Sequence, residues 1–444
     1  MARRLSSITL EVCLNGRRVG ALRSNANGAV SFAYDATWLS WEHAFAISLS
    51  MPLTEESYRG STVLAVFDNL LPDGVSIRRQ IATRVGANGD DIISLLAKIG
   101  SDCVGALQFL PEATACTVSG NINAVPITNA AIATRIRGLA AAPLGLTEED
   151  EAFRISLAGA QEKTALLRVD GAWRLPHGAT PTTHILKPQI GRRPFGLGIE
   201  IDLPDSVENE QFCMAFCKAV DLPTAVTSIA NFAGVRVLVS ERFDRVWTQD
   251  GRLLRRPQED FCQALGFASS QKYEENGGPS IAACMGLLQG SNNPHEDRRT
   301  FMKAILVYWV LGATDAHAKN FSIHLNPGGG FRLAPLYDVL STQPHVTSGQ
   351  LPHRSARLAM AVGNNRRYRV DQIVPRYFRE TAAAVGFPAA DLTAVEREIT
   401  GALEPALRAA KASLPANFPS AMGDAIAAGA RSRAGLFADP PRGG

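Results

Sequence analysis

The chain has 444 residues, 46% hydrophobic and 20% charged, with a formal net charge of +3. Such a composition describes a soluble globular chain too long for one core, so two or three packed lobes are expected. The small net charge gives no argument for nucleic-acid binding, and the longest apolar run, Ala304–Ala313, is too short to span a bilayer.

Residues 1–110 read as a mixed, β-rich lobe. Ile8–Leu14, Asn15-Gly16 and Val19–Leu22 form a hairpin pattern. The pattern turns helical near Val63, breaks at the turn Asp68–Asp73 (DNLLPD), and resumes over Ser76–Val85. Residues 111–150 read as a connector with one short helix near Ile132–Leu139. The next unit, 151–245, opens with strands at Ile155–Leu157 and Thr164–Val169 around a short loop, Ala158–Lys163. Thr183–Leu186 is another strand. Asp205–Val220 predicts an amphipathic helix, with Asp205 and Glu208 at capping-box spacing and an apolar stripe of Phe212, Ala215, Phe216 and Ala219. Gly234–Val239 reads as a buried strand running into Glu241–Arg245. Residues 246–437 form a lobe that is helical over most of 259–430, and 438–444 read as a disordered tail. The seven cysteines, Cys13, Cys103, Cys116, Cys213, Cys217, Cys262 and Cys284, include no Cys-x-x-Cys pair. No disulfide framework or zinc site is expected, and the usage suits a reducing cytoplasm.

Within the helical lobe, Gly312–Ser341 is the exception. An apolar helix, Phe301–Leu311, ends at Gly312. Asp315-Ala316-His317-Ala318-Lys319-Asn320 follows, then strands at Phe321–Leu325 and Phe331–Leu336 around a Pro-Gly-Gly-Gly turn, ending at Tyr337-Asp338. Phosphoryl transfer from ATP needs a carboxylate to orient the attacking hydroxyl and hard oxygen ligands for Mg2+. Asp315 and Asn320 have the D-x-x-x-x-N spacing of a kinase catalytic loop. The hairpin returns Asp338 toward Asn320, so one base (Asp315) and two metal ligands (Asn320, Asp338) converge. The competing reading is a helix end capped by Asp315 and Asn320. Lys187, at a strand end, is the cation expected on the ATP phosphates; taken in isolation it reads as a solvated strand-end lysine. Its partner is Glu208 or Glu210, both on the next helix, and spacing does not choose between them. The loop Ala158-Gly159-Ala160-Gln161-Glu162-Lys163 is a phosphate-loop candidate without the G-x-G-x-x-G pattern.

These segments resemble the HipA family of kinase toxins from bacterial toxin–antitoxin systems. The resemblance is carried by Phe67–Asp73 (FDNLLPD), Arg154–Leu167 (RISLAGAQEKTALL), Thr180–Lys187 (TPTTHILK), Glu241–Arg245 (ERFDR), Arg256–Cys262 (RPQEDFC), Gly312–Asn320 (GATDAHAKN) and Tyr337–Ser341 (YDVLS). It implies an α+β, bilobal protein-kinase-like fold with an added N-terminal β-rich lobe and a mostly helical C-terminal lobe. It implies Asp315 as catalytic aspartate, and Lys187, His317, Ala318, Lys319, Asn320, Tyr337 and Asp338 around ATP and Mg2+. Glu241, Arg242 and Phe243 would be the hinge that meets adenine, and Ala158–Lys163 the phosphate loop. Ser156 matches the family's autophosphorylated serine, whose modification ejects the loop and silences the kinase. The implied partners are a HipB-like helix-turn-helix antitoxin, operator DNA mainly through that antitoxin, and an aminoacyl-tRNA synthetase as substrate. One departure is Ala316 where the family commonly has glycine. If that position needs a positive φ, alanine costs about 1 kcal/mol there. Two other classes compete: a binding module acting only as co-repressor, and a hydrolase using His317. No G-x-S-x-G elbow supports the second. The basic cluster Asn364–Arg369 reads as a solvated loop.

Overall fold

A computed structural model describes residues 7–117, 122–140, 157–159, 161–194 and 200–438. The expected N-terminal hairpin forms: Ile8–Leu14 pairs antiparallel with Arg17–Ser24. Asn15 (φ 45°) and Gly16 (φ 84°) both take left-handed backbone, as the tightest hairpin turns require. These strands lie in a five-stranded sheet ordered Tyr58–Arg59, Val30–Tyr34, Arg17–Ser24, Ile8–Leu14, Leu107–Pro111. Helices Ser61–Asp68, Val75–Arg84 and Ile92–Ile99 fill the connection before the last of these strands. The cysteine expectation is corrected at one pair: Cys13 and Cys116 are disulfide-bonded, with Cα atoms 5.7 Å apart. A separation of 103 residues hides that meeting from any spacing argument. Cys213 and Cys217 are free, buried thiols, as expected.

A six-stranded sheet follows, ordered Thr227–Phe232, Val235–Glu241, His184–Pro188, Thr164–Val169, Ala172–Pro176, Ala124–Pro126. The connector helix, Asn129–Arg137, is capped by Thr128 and packs Ile132 and Ile136 against Leu166, Leu186 and Val237. The long helix Ser206–Ala219 is buried almost all round. Its expected capping box does not form. Asp205 makes no side-chain cap bond, and Glu208 is fully buried, ion-paired with Arg236 of the neighbouring strand. A buried carboxylate with a guanidinium in reach takes that partner over a helix-end amide.

The helical lobe is built on Pro294–Leu311, capped by Asn293, buried from Phe301 onward, and ended by Gly312 at φ 68°. Helices Ala389–Ala412 and Ala421–Gly435 pack round it. One hairpin, Arg357–Val362 with Arg367–Arg369, interrupts the stretch read as helical. The basic cluster is its turn and second strand, and Arg366 pairs with Glu274 while Arg367 stacks on Tyr377. Among the described residues no helix is long and apolar enough to cross a membrane.

The N-terminal lobe is fused to the rest by a continuous apolar core and by buried charge. Asp102, in the loop after Ile92–Ile99, meets Arg245 (2.8 Å), Arg255 (3.1 Å) and Arg242 (3.5 Å), and accepts from Thr182 N and Oγ1. Glu259 reaches the other way, accepting from Leu49 N at 2.9 Å, with the Ser48 hydroxyl also beside the carboxyl. Burial pushes the Glu259 carboxyl from 4.5 up to about 8. A carboxyl raised on folding holds a proton that the unfolded chain has lost. Its stabilisation is therefore present at acid pH and fades as pH rises from 4.5 to about 8. Glu259→Gln is expected to flatten this slope, lifting stability at pH 8.5 relative to wild type by on the order of 1 kcal/mol or more. Urea midpoints at pH 5.5 and 8.5 check it, and parallel pH dependence in both proteins would refute it.

Candidate active site

The helix that ends at Gly312 delivers a short loop held on its own backbone. The carbonyl of Asp315 accepts from His317 N (2.9 Å) and from Asn320 Nδ2 (2.7 Å). The D-x-x-x-x-N spacing therefore closes a ring that orients the Asn320 amide, and neither residue caps the helix. The Asp315 side chain points outward, 61% exposed, with Oδ2 3.9 Å from His317 Nε2. Ala316 is not in the left-handed region, so the alanine carries no conformational penalty there.

Asp338 arrives from the hairpin Ser322–Leu325 and Phe331–Leu333, and its backbone is left-handed at φ 61°. A non-glycine residue held there costs on the order of 1 kcal/mol, the kind of strain that collects at functional sites. The turn sets Asp338 Oδ1 2.8 Å from Lys187 Nζ, and the same ammonium meets Glu210 Oε1 at 2.8 Å. This chooses between the two glutamates: Glu210 is the partner and Glu208 is not. Burial alone would raise the Asp338 carboxyl, but Lys187 and Lys163 outweigh it and hold it well below the usual carboxylate range. Burial likewise opposes the Lys187 charge, and Asp338 with Glu210 more than restores it. Asn209, beside Glu210, ties this helix to the Asp338 segment by bonding Ser341 N and O, both at 2.8 Å.

The phosphate-loop candidate folds onto its own lysine. Lys163 Nζ donates to Ala158 O at 2.6 Å, and burial, reinforced by Lys187, pushes this amine down to about 8. Gly159 sits at φ 101°, where an added Cβ would lie 2.9 Å from Lys163 Nζ, so glycine is required. Gln161 bonds Pro188 O, and Glu162 is half-buried beside it. Ser156 and Ala160 lie outside the described residues. At the hinge, Phe243 packs against Tyr337 with ring centroids 5.7 Å apart, while Glu241 is exposed. The Arg242 side chain does not face that cleft. Its guanidinium is buried on Asp244, Thr182 and Cys103 O, so only its backbone can serve a hinge.

Lys319 makes its contacts across to the N-terminal lobe. Its ammonium is buried on Asp73 Oδ1 (2.8 Å) and Asn69 O (3.3 Å), both in the N-terminal lobe. Asp73 takes Lys272 on its other oxygen at 2.9 Å. Tyr337 Oη donates to Lys319 O, and Ala318 is fully buried beneath the loop. His317 is buried, its Nδ1 has no hydrogen-bond partner among the described residues, and burial pushes its pKa down. The residues missed in the sequence are Tyr273, whose hydroxyl donates to Asp315 Oδ1 at 2.6 Å, together with Lys272 and Asp73. The DNLLPD segment was the one signal for Asp73.

Asn320 Nδ2 is used on Asp315 O, which fixes the plane of its amide and of Oδ1. Asp338 is ionised and about a third exposed, at 34%. One carboxylate and one amide oxygen fit a cation that takes most of its shell from phosphate and water. No group of three or more His, Cys, Asp or Glu among the described residues makes an all-protein cage.

Two family models match the chain, the HipA N-terminal domain over residues 10–110 and the HipA-like C-terminal domain over 155–407. The chain belongs to the HipA family. Among its relatives, Y4mE of Sinorhizobium fredii is 37% identical over 358 residues, covering 80% of each chain. The Ser/Thr-protein kinase toxin HipA of Shewanella oneidensis is 27% identical over 368 residues, covering 80% of this chain and 79% of that one. Among solved structures, the S. oneidensis HipA–HipB–operator DNA complex aligns with a TM-score of 0.77 at 23% identity, covering 96% of this chain and 98% of its match. The fold is thus the α+β kinase-like fold of HipA.

Proposed function

We propose that this HipA-family protein is an ATP-dependent Ser/Thr protein kinase acting as the toxin of a toxin–antitoxin pair. The observation that carries the reading is the Glu210–Lys187–Asp338 ion triad across the cleft from the Asp315–Asn320 loop. A co-repressor relieved of catalysis has no physical need to hold a strained Asp338 on a buried lysine. ATP would set its adenine along the Glu241–Phe243 segment, beside the packed Phe243 and Tyr337 rings. Its phosphates meet the Ala158–Lys163 loop, Lys187, and the unpartnered ring nitrogen of His317. Asn320 and Asp338 would hold Mg2+, which would neutralise charge on the phosphates. Asp315 orients the acceptor hydroxyl and takes its proton as the new P–O bond forms and ADP leaves. The named relatives support the wider setting. The acceptor is a protein, read from the family resemblance as an aminoacyl-tRNA synthetase. A HipB-like antitoxin neutralises the kinase in the cytoplasm and carries contact with operator DNA.

Self-modification falls on Ser156, next to the phosphate loop. A dianionic phosphate there repels ATP and displaces the loop. The test uses phosphatase-treated protein incubated with ATP and Mg2+, followed by intact-mass spectrometry and peptide mapping. One added phosphate on Ser156 is expected in the wild type. Ser156→Ala is expected to gain none while still phosphorylating its target. A phosphate mapped elsewhere would remove Ser156 from the reading. No phosphate on initially unmodified wild type would favour the co-repressor class.

A further inference from the structure

We propose that Tyr273 positions the catalytic carboxylate of Asp315, and that the N-terminal lobe holds Tyr273 in place through Asp73. The inference rests on the kinase reading and adds a residue to it. Asp315 is a largely exposed side chain, and among the described residues no Lys or Arg pairs with it to fix its plane. A base must present one oxygen within about 3 Å of the acceptor hydroxyl, so free rotation would dilute the productive pose. Tyr273 Oη donates to Asp315 Oδ1 at 2.6 Å and restricts that rotation. Oδ2 is left 3.9 Å from His317 Nε2, beyond hydrogen-bond length, and open to an acceptor. Tyr273 therefore occupies one oxygen and leaves the other to the substrate.

The tyrosine is itself held. Its ring meets the buried His317 edge-on, with centroids 5.0 Å apart. Lys272 lies over the same ring at 5.3 Å, and its carbonyl accepts from Ala318 N at 3.3 Å, which ties the Lys272–Tyr273 segment to the Asp315–Asn320 loop. The anchor comes from the other lobe. Asp73 bonds Lys272, next to Tyr273, and Lys319, within the Asp315–Asn320 loop, and the two lysines keep its carboxyl at about 2 against the effect of burial. Asn69 Nδ2 bonds Phe267 O at 2.9 Å, and Asp68 accepts from Ser269. The DNLLPD turn is thereby a bracket for the base, and its Asp73 N also reaches Gly159 O of the phosphate loop at 3.3 Å.

The experiment measures initial rates of self-phosphorylation by intact mass at graded ATP, with Mg2+, on phosphatase-treated full chains. Tyr273→Phe is expected to lower kcat about 10–100-fold, with KM for ATP and the thermal midpoint unchanged. A structural role would move the midpoint, and a nucleotide contact would move KM. Asp73→Asn is expected to lower kcat in the same sense, and adding Tyr273→Phe to it is expected to cost little more. Full additivity would break the link to the N-terminal lobe. An unchanged kcat in Tyr273→Phe would overturn the positioning role, and a raised one would make the tyrosine a plug. A wild type that transfers no phosphate would fail the kinase reading itself, leaving Tyr273 no base to position.

Discussion

Asp315→Ala is expected to reduce phosphoryl transfer by at least about 10²–10⁴-fold, the usual loss on removing a general base, and to abolish growth arrest. The same change is expected to leave the fold intact. The side chain is 61% exposed, and its contacts are the Tyr273 hydroxyl and the distant His317 ring. What organises the catalytic loop is the Asp315 carbonyl, which accepts from His317 N and Asn320 Nδ2 and survives the substitution. Asp338 and Lys187 remain paired, so nucleotide still binds. Transfer of label from ATP, growth on induction and circular dichroism together check this. A variant with native dichroism and undiminished growth arrest would remove Asp315 from the chemistry.

The contrast between base and scaffold explains what could be read in advance. Asp315, Asn320 and Asp338 are joined by one loop and one short hairpin, so spacing alone brings them together. Lys187 was legible because strand ends near a Gly-containing loop are where phosphates meet cations. Contacts closed by the tertiary fold were not legible. Tyr273 lies 42 residues from Asp315, and Asp73 lies 246 from Lys319. Nothing local at Lys319 says that its ammonium pairs with a carboxylate in another lobe. Glu208 and Glu210 are equally placed on one helix, and only the strand carrying Arg236 separates them. The ERFDR segment shows the same limit from the other side. Its hinge role is what the family resemblance implies, but the direction of the Arg242 side chain depends on partners that include Asp102, which the N-terminal lobe supplies.

That dependence sets the largest expected stability effect. Asp102→Ala removes one of two carboxylates, Asp102 and Asp244, that face three buried guanidiniums, Arg242, Arg245 and Arg255. Burial alone would raise the Asp102 carboxyl, and the three arginines reverse this and hold it far below the usual range. Replacing the pair by apolar groups could be harmless, but removing one partner leaves uncompensated charge out of water. The expected cost is about 3–5 kcal/mol. It should appear as a lower urea midpoint, with separation of the N-terminal lobe from the ATP-binding sheet. Asp102→Asn keeps an acceptor for Thr182 and loses the charge, so an intermediate midpoint is expected. The order wild type, Asn, Ala distinguishes lost charge from lost hydrogen bonding. If Asp102→Ala unfolds at the wild-type midpoint, the ion cluster does not join the lobes, and the continuous apolar core holds them without it.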